Sequence, residues 1–162
     1  MNLLLLKQMS ILGAFAGVIL GLITIVPYIS AISFFILVTC LSAFILVYLK
    51  QNDLIGIINI REGCIFGALI GFVSFIAFSV VYLPISMLLD WLIPSYTQGF
   101  MRYFLTGGFI SIIVMLLLVI LMAGISALFN GFAGVITAYV YELITGIKKE
   151  NDENNSVDFE IK

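Results

Sequence analysis

The chain has 162 residues, of which 63% are hydrophobic and only 10% charged, with a mean hydropathy of +1.26. A soluble domain carries about 25% charged residues, so so apolar a chain could not cover its surface in water, and it reads as a polytopic membrane protein. The net charge of −2 implies no acidic or basic partner, because most of the acids lie in the last residues.

In chain order, the first apolar run covers about 9–28 and ends at Pro27-Tyr28. Only a few apolar residues separate Lys7 from the Ala-Phe-Ala at 14–16, too few for the core of a cleaved leader, so this run is expected to stay as a span. The second covers 31–49 and stops at Lys50. The third, 63–89, is long enough to cross at a tilt or with a kink at Pro84. The fourth runs from 104 to 129. Each reaches, or comes within a residue or two of, the roughly 20 residues that cross the hydrocarbon core, and none holds Asp, Glu, Lys or Arg within those limits.

The next stretch, FNGFAGVITAYVYELITGI at 129–147, admits three readings. Asn130-Gly131 could turn the chain into a fifth span. The segment could lie along the membrane face on its stripe of Phe132, Val135, Ile136, Tyr139, Leu143, Ile144 and Ile147. It could also extend the fourth helix as one long kinked rod. Four spans place Lys7, Lys50, Arg61, Lys148, Lys149 and Lys162 on one side against Arg102 on the other. By the positive-inside rule both termini are then cytoplasmic, in the cell membrane. A fifth span would leave three basic residues inside and four outside, and in-plane helices usually carry more Lys and Arg than this one. The expected architecture is therefore an all-α bundle of four spans with a long or kinked last helix, over 1–147; five spans is the alternative. Residues 148–162, KENDENNSVDFEIK after Lys148, read as a disordered acidic cytoplasmic tail.

Two stretches carry glycine at every fourth position: Gly13, Gly17 and Gly21, then Gly63, Gly67 and Gly71. Residues four apart share a helix face, so each set forms a flat groove of the glycine-zipper kind. In a bilayer, where lipid tails are as apolar as leucine, close backbone approach drives helix association. A third line of small residues, Ser126, Asn130, Gly134 and Ala138, falls on the last helix at about the same expected depth. These ten residues are the candidate packing site. The contact would lie within one chain or between copies.

GAFAG at 13–17 and GALIG at 67–71 share Gly-Ala-x-x-Gly, and each span carries a later proline, which would suit a repeat of helical hairpins. Those spans, the short Pro-containing turn after the first and the late FNGFAGVI stretch resemble small four-span prokaryotic membrane proteins of unknown function, over about residues 10–147. The resemblance implies a topology and no chemistry.

The sequence offers little to a catalytic site. There is no histidine, so no nucleophile–base pair can be assembled with one. The carboxylates and lysines sit at or beyond the span limits, with Asp53, Arg61 and Glu62 in one loop and Asp90 placed to pair with Arg102 across another. Cys40 and Cys64 fall in separate spans without metal-ligand spacing. No phosphate loop, dinucleotide fingerprint or nucleic-acid face is present, and no cofactor is implied. Proton-coupled carriers keep ionisable residues in their spans; here the deepest polar group is Asn130, which would line a cavity or bond a neighbouring helix, beside the hydroxyls of Thr24, Thr39, Ser42, Ser74 and Ser79. Two functions follow as expectations. One is a non-enzymatic protein acting through helix association, as an accessory subunit or a self-assembling bundle whose partners are the lipid bilayer and either further copies or another membrane protein. The other is a small transporter or channel for a neutral or weakly polar solute.

Overall fold

The computed structural model describes residues 3–52, 54–56, 59–93 and 107–157, with backbone alone at 3–4 and 145–157. The described chain is all helical: α1 (Leu3–Ile23), α2 (Pro27–Thr39), α3 (Leu41–Gln51), α4 (Ile60–Leu92) and α5 (Gly108–Val157). Three of these, α1, α4 and α5, are long and apolar enough to cross a membrane, and α2 with α3 makes a fourth if the bent pair is one span.

The boundaries differ from the sequence expectation in physically instructive ways. The first span ends at Ile23, not 28, because Pro27 opens α2 at its first helical position, where its missing N–H costs nothing and its φ is already helical. The expected straight span at 31–49 is two helices meeting at Cys40 with a bend of 68°. The third begins at Ile60 behind Asn59, whose backbone N–H donates to the Glu62 carboxylate at 3.4 Å. Such reciprocal capping satisfies donors that a helix start leaves unpaired. α4 then continues through Pro84 to Leu92.

No turn forms at Asn130-Gly131. α5 passes through both as a single 50-residue helix, about 75 Å long at 1.5 Å per residue. The fifth-span and in-plane readings of 130–147 are thereby replaced by the continuous rod. The helix also carries through residues 148–157, the first part of the tail expected to be disordered; extending an existing helix costs far less than nucleating one, and Lys148, Lys149 and Glu150 are good helix formers. Residues 158–162 lie outside the described residues.

α4 is the axis of the bundle. Gly13, Gly17 and Gly21 of α1 face the backbone of Ile70, Ser74 and Phe78 in turn. Because both series ascend together, α1 and α4 are parallel. Gly63, Gly67 and Gly71 face Gly134, Asn130 and Ser126, a descending series, so α5 runs antiparallel to α4. With α1 and α4 parallel, the α2–α3 pair must return from the Ile23 end to the Ile60 end. It is therefore a broken crossing, not a re-entrant loop. The two glycine stripes do not share one level as expected: α4 meets α5 around Gly67 and α1 around Ser74, seven residues or about 10 Å further along.

At Gly17, Gly63, Gly67 and Gly71 these approaches leave no room for a methyl group, whereas at Gly13 and Gly21 one would meet its neighbours at 3.4 and 3.3 Å. One added at Gly17 would run into the Ser74 carbonyl, one at Gly67 into the Asn130 carbonyl, and one at Gly63 would lie 2.7 Å from the Gly134 oxygen. Gly124 has nothing within 4 Å. Gly17→Ala and Gly67→Ala should each destabilise the bundle by about 1–3 kcal/mol, as overpacking does. Gly124→Ala should change stability by no more than about 1 kcal/mol, and in the favourable direction. Thermal unfolding of the three variants in one detergent checks the ranking; equal losses at Gly67 and Gly124 would refute it.

Candidate functional site

The most polar buried point of the described chain is the junction of α2, α3, α4 and α5. Its centre is Asn130, fully buried together with Ser42, Ser74 and Ser126. A helix that breaks inside an apolar bundle exposes backbone N–H and C=O groups that lipid cannot satisfy. At Cys40 the ladder is interrupted, and Ser42 has no bond back to Val38.

Asn130 fills that gap. Its Oδ1 accepts from the Ser42 backbone N–H at 2.8 Å, while Nδ2 donates to the carbonyls of Val38 at 2.9 Å and Leu37 at 3.0 Å. The side-chain amide thus stands where a direct Ser42–Val38 helix bond would be, offering each partner the complementary half of a peptide group. Nδ2 also reaches the Ser126 carbonyl at 3.0 Å on its own helix. The Ser42 hydroxyl closes the set by donating to the Asn130 carbonyl at 2.6 Å. Ser126 Oγ donates to the carbonyl of Gly71 at 3.1 Å, with the Leu37 oxygen at 3.4 Å. Among the described residues no buried side-chain polar atom is left without a partner.

Gly71 makes this reach sterically possible. A methyl there would stand 2.7 Å from Asn130 Cβ and 3.0 Å from Nδ2. The second glycine stripe therefore does two things. It admits the α5 backbone at Gly63, Gly67 and Gly71, and at Gly71 it also clears the way for the Asn130 side chain to reach the broken pair. Of the ten candidate packing residues, Gly63, Gly67, Gly71, Ser126, Asn130, Gly134 and Ala138 converge on the α4–α5 seam. Gly13, Gly17 and Gly21 lie on the separate α1–α4 seam. Both stripes are occupied within the chain.

A second polar tie holds the turn between α1 and α2. Thr24 Oγ1 lies 2.6 Å from the Leu20 carbonyl and 2.9 Å from Ser33 Oγ, and Ser33 Oγ lies 3.1 Å from the same carbonyl. Beside it opens a cavity of about 320 Å³ lined by Thr24, Ser30, Ala31, Phe34, Phe78 and Tyr82. Its aromatic wall is ordered by a stacked Phe78–Tyr82 pair at 5.1 Å and an edge-on Phe34–Phe78 pair at 6.1 Å. Neither this tie nor the break at Cys40 has a mark in the sequence beyond the depth of the Thr24 hydroxyl in its apolar run.

Other candidates separate. Cys40 and Cys64 are free thiols, and among the described residues no group of three His, Cys, Asp or Glu side chains could hold a metal. Arg61 is exposed, Glu62 caps α4, and Asp53 lies outside the described residues. Asp90 is buried with 2% exposure; Arg102, its expected partner, is outside the described residues.

The amide's fit to three carbonyls and one N–H makes its replacement by a carboxylate informative. Asn130→Asp has no hydrogens to give Val38, Leu37 and Ser126 and places charge in an apolar bundle. It should lower the unfolding midpoint more than Asn130→Leu, which brings no charge, and thermal unfolding in detergent at neutral pH compares them. The chain matches no family model, no curated protein and no solved structure.

Proposed function

We propose that this chain is a non-enzymatic multi-pass membrane protein that works by association, and that the first half of α5 is the surface through which it associates. The observation that carries this reading is the exposure of Phe109, Ile110, Ile112, Ile113, Val114, Leu116, Leu117, Leu118, Ile120 and Leu121. Only the line of Ser111, Met115, Val119 and Met122 on that half-helix is partly covered, and the rest of its surface is open. Over an 18-residue apolar window only 11% of α5 residues are buried, against 44% in α4. The glycine stripes that first suggest association are taken up within the chain, so the surface moves to α5. Its occupant is another apolar transmembrane helix, since a soluble partner could not reach it. The orientation that fits the basic residues puts both termini in the cytoplasm.

A second reading, a small transporter for a neutral or weakly polar solute, is favoured by the broken span and the cavity beside Thr24. Tyr82 is the one titratable group among its lining residues, which suits an uncharged solute.

Leu117→Cys, in a chain whose own cysteines are replaced, should crosslink in native membranes to a second copy or to a distinct membrane protein. The same position should remain unlinked if α5 contacts lipid alone, and vesicle flux lowered by Thr24→Val would then favour transport. A reporter fused after Lys149 should be active on the cytoplasmic side; periplasmic or external activity would overturn the four-span orientation.

A further inference from the structure

We propose that the α2–α3 pair is a two-state element: a bent state held by Asn130, and a straight state in which Pro27–Gln51 is one continuous helix. The bend has no local cause of the usual strong kind. Residues 37–42, LVTCLS, contain neither glycine nor proline, which account for most sharp kinks. The local contribution is a back-bond from Thr39 Oγ1 to the Phe35 carbonyl at 2.7 Å, and such bonds bend a helix only slightly.

The bend is instead held from outside, by a residue 88 to 93 positions away. Each backbone group that the Asn130 side chain bonds across the break has a direct replacement partner. If its amide withdraws, the Ser42 N–H can donate to the Val38 carbonyl and the Leu41 N–H to the Leu37 carbonyl, which are ordinary helix bonds. Nδ2 keeps the Ser126 carbonyl and hydroxyl on its own helix. The Ser42 N–H and the Leu37 and Val38 carbonyls thus keep a partner in both states, as the bilayer requires. The polar groups set free in the straight state are Asn130 Oδ1, an acceptor, and the Ser42 hydroxyl, which loses the Asn130 carbonyl. Broken helices in membrane proteins commonly flank binding sites and moving parts. This one has a defined latch, whose bonds all lie within the chain.

The test is a spin-label distance in lipid nanodiscs, on the full chain carrying Cys40→Ala and Cys64→Ala with labels at Tyr28→Cys and Gln51→Cys. Both labelled positions are exposed. A change from a 68° bend to a continuous helix lengthens the separation by about 6 Å at 1.5 Å per residue. Asn130→Leu, which cannot bridge the break, should move the main distance to the longer value. Adding Ser42→Pro should restore the shorter one. Proline is tolerated in the first turn of α3, but in a continuous helix it would clash with the residue 38 carbonyl.

An unchanged distance in Asn130→Leu would overturn the proposal, as would a broad distribution with no longer peak, which indicates local unfolding. Should Asn130→Leu fail to fold, Asn130→Gln decides. Its extra methylene displaces the amide while keeping the polarity, so a second, longer population supports the latch and a single short distance refutes it.

Discussion

A helix may break inside a bilayer only where something else satisfies the freed backbone groups, and here that something is one carboxamide. Asn130 supplies an acceptor to Ser42 and donors to Leu37 and Val38, so the break at Cys40, the α5 seam and the glycines of α4 form one structural unit. Interhelical hydrogen bonds in membranes average only about 0.6 kcal/mol each. Their importance here lies less in sum than in the alternative, since the broken backbone would otherwise be left unpaired in an apolar interior, at about 1–3 kcal/mol per group.

The rest of the bundle is arranged to bring that amide within reach. α4 receives α5 over Gly63–Gly71 and then α1 over Ile70–Phe78, with four-residue steps on both seams. Two helices thus dock on successive stretches of the same rod. With little hydrophobic gain to be had between helices in lipid, the contact of backbone on backbone at Gly17, Gly67 and Gly134 must supply the van der Waals energy. Gly71 follows this rule, with the Ser126 carbonyl oxygen 2.6 Å from where its methyl would stand, and adds a second role. It also contributes the volume through which Asn130 passes, so one step of a packing stripe serves a hydrogen-bond network as well.

Which parts of this were legible in the sequence follows from the range of the interactions. Composition and run length suffice for an all-helical bundle, because crossing the membrane constrains each segment separately. The stripes pointed to close packing faces, though not to their mates or to the 10 Å offset between the seams. The Asn59-x-x-Glu62 start of α4 is a local motif that could have been read and was missed. Asn130-Gly131 looks like a turn by the conventions of soluble loops, yet its amide is spent on α2 and α3 and the helix continues. The break at Cys40 had no local mark. Its cause lies on α5, and only the presence of a lone amide in a long apolar run hinted that some distant backbone needed it.

That distance also has a mechanical meaning. Asn130 sits in the same helix as the exposed stretch Phe109–Leu121, about two and a half to six turns away along an uninterrupted backbone. α5 is anchored by its middle against α4 and left uncovered toward its start. A neighbouring helix that grips the start and shifts or rotates α5 would carry the Asn130 amide with it, relative to carbonyls that belong to other helices. Packed interfaces change between discrete arrangements and do not deform continuously, so a small displacement there acts on the choice between latched and unlatched backbone. The coupling must run both ways: a chain held bent by its amide presents α5 in one position, and whatever prefers that position also stabilises the bend. On the proposed reading, association and bending would be two readouts of the placement of a single rod.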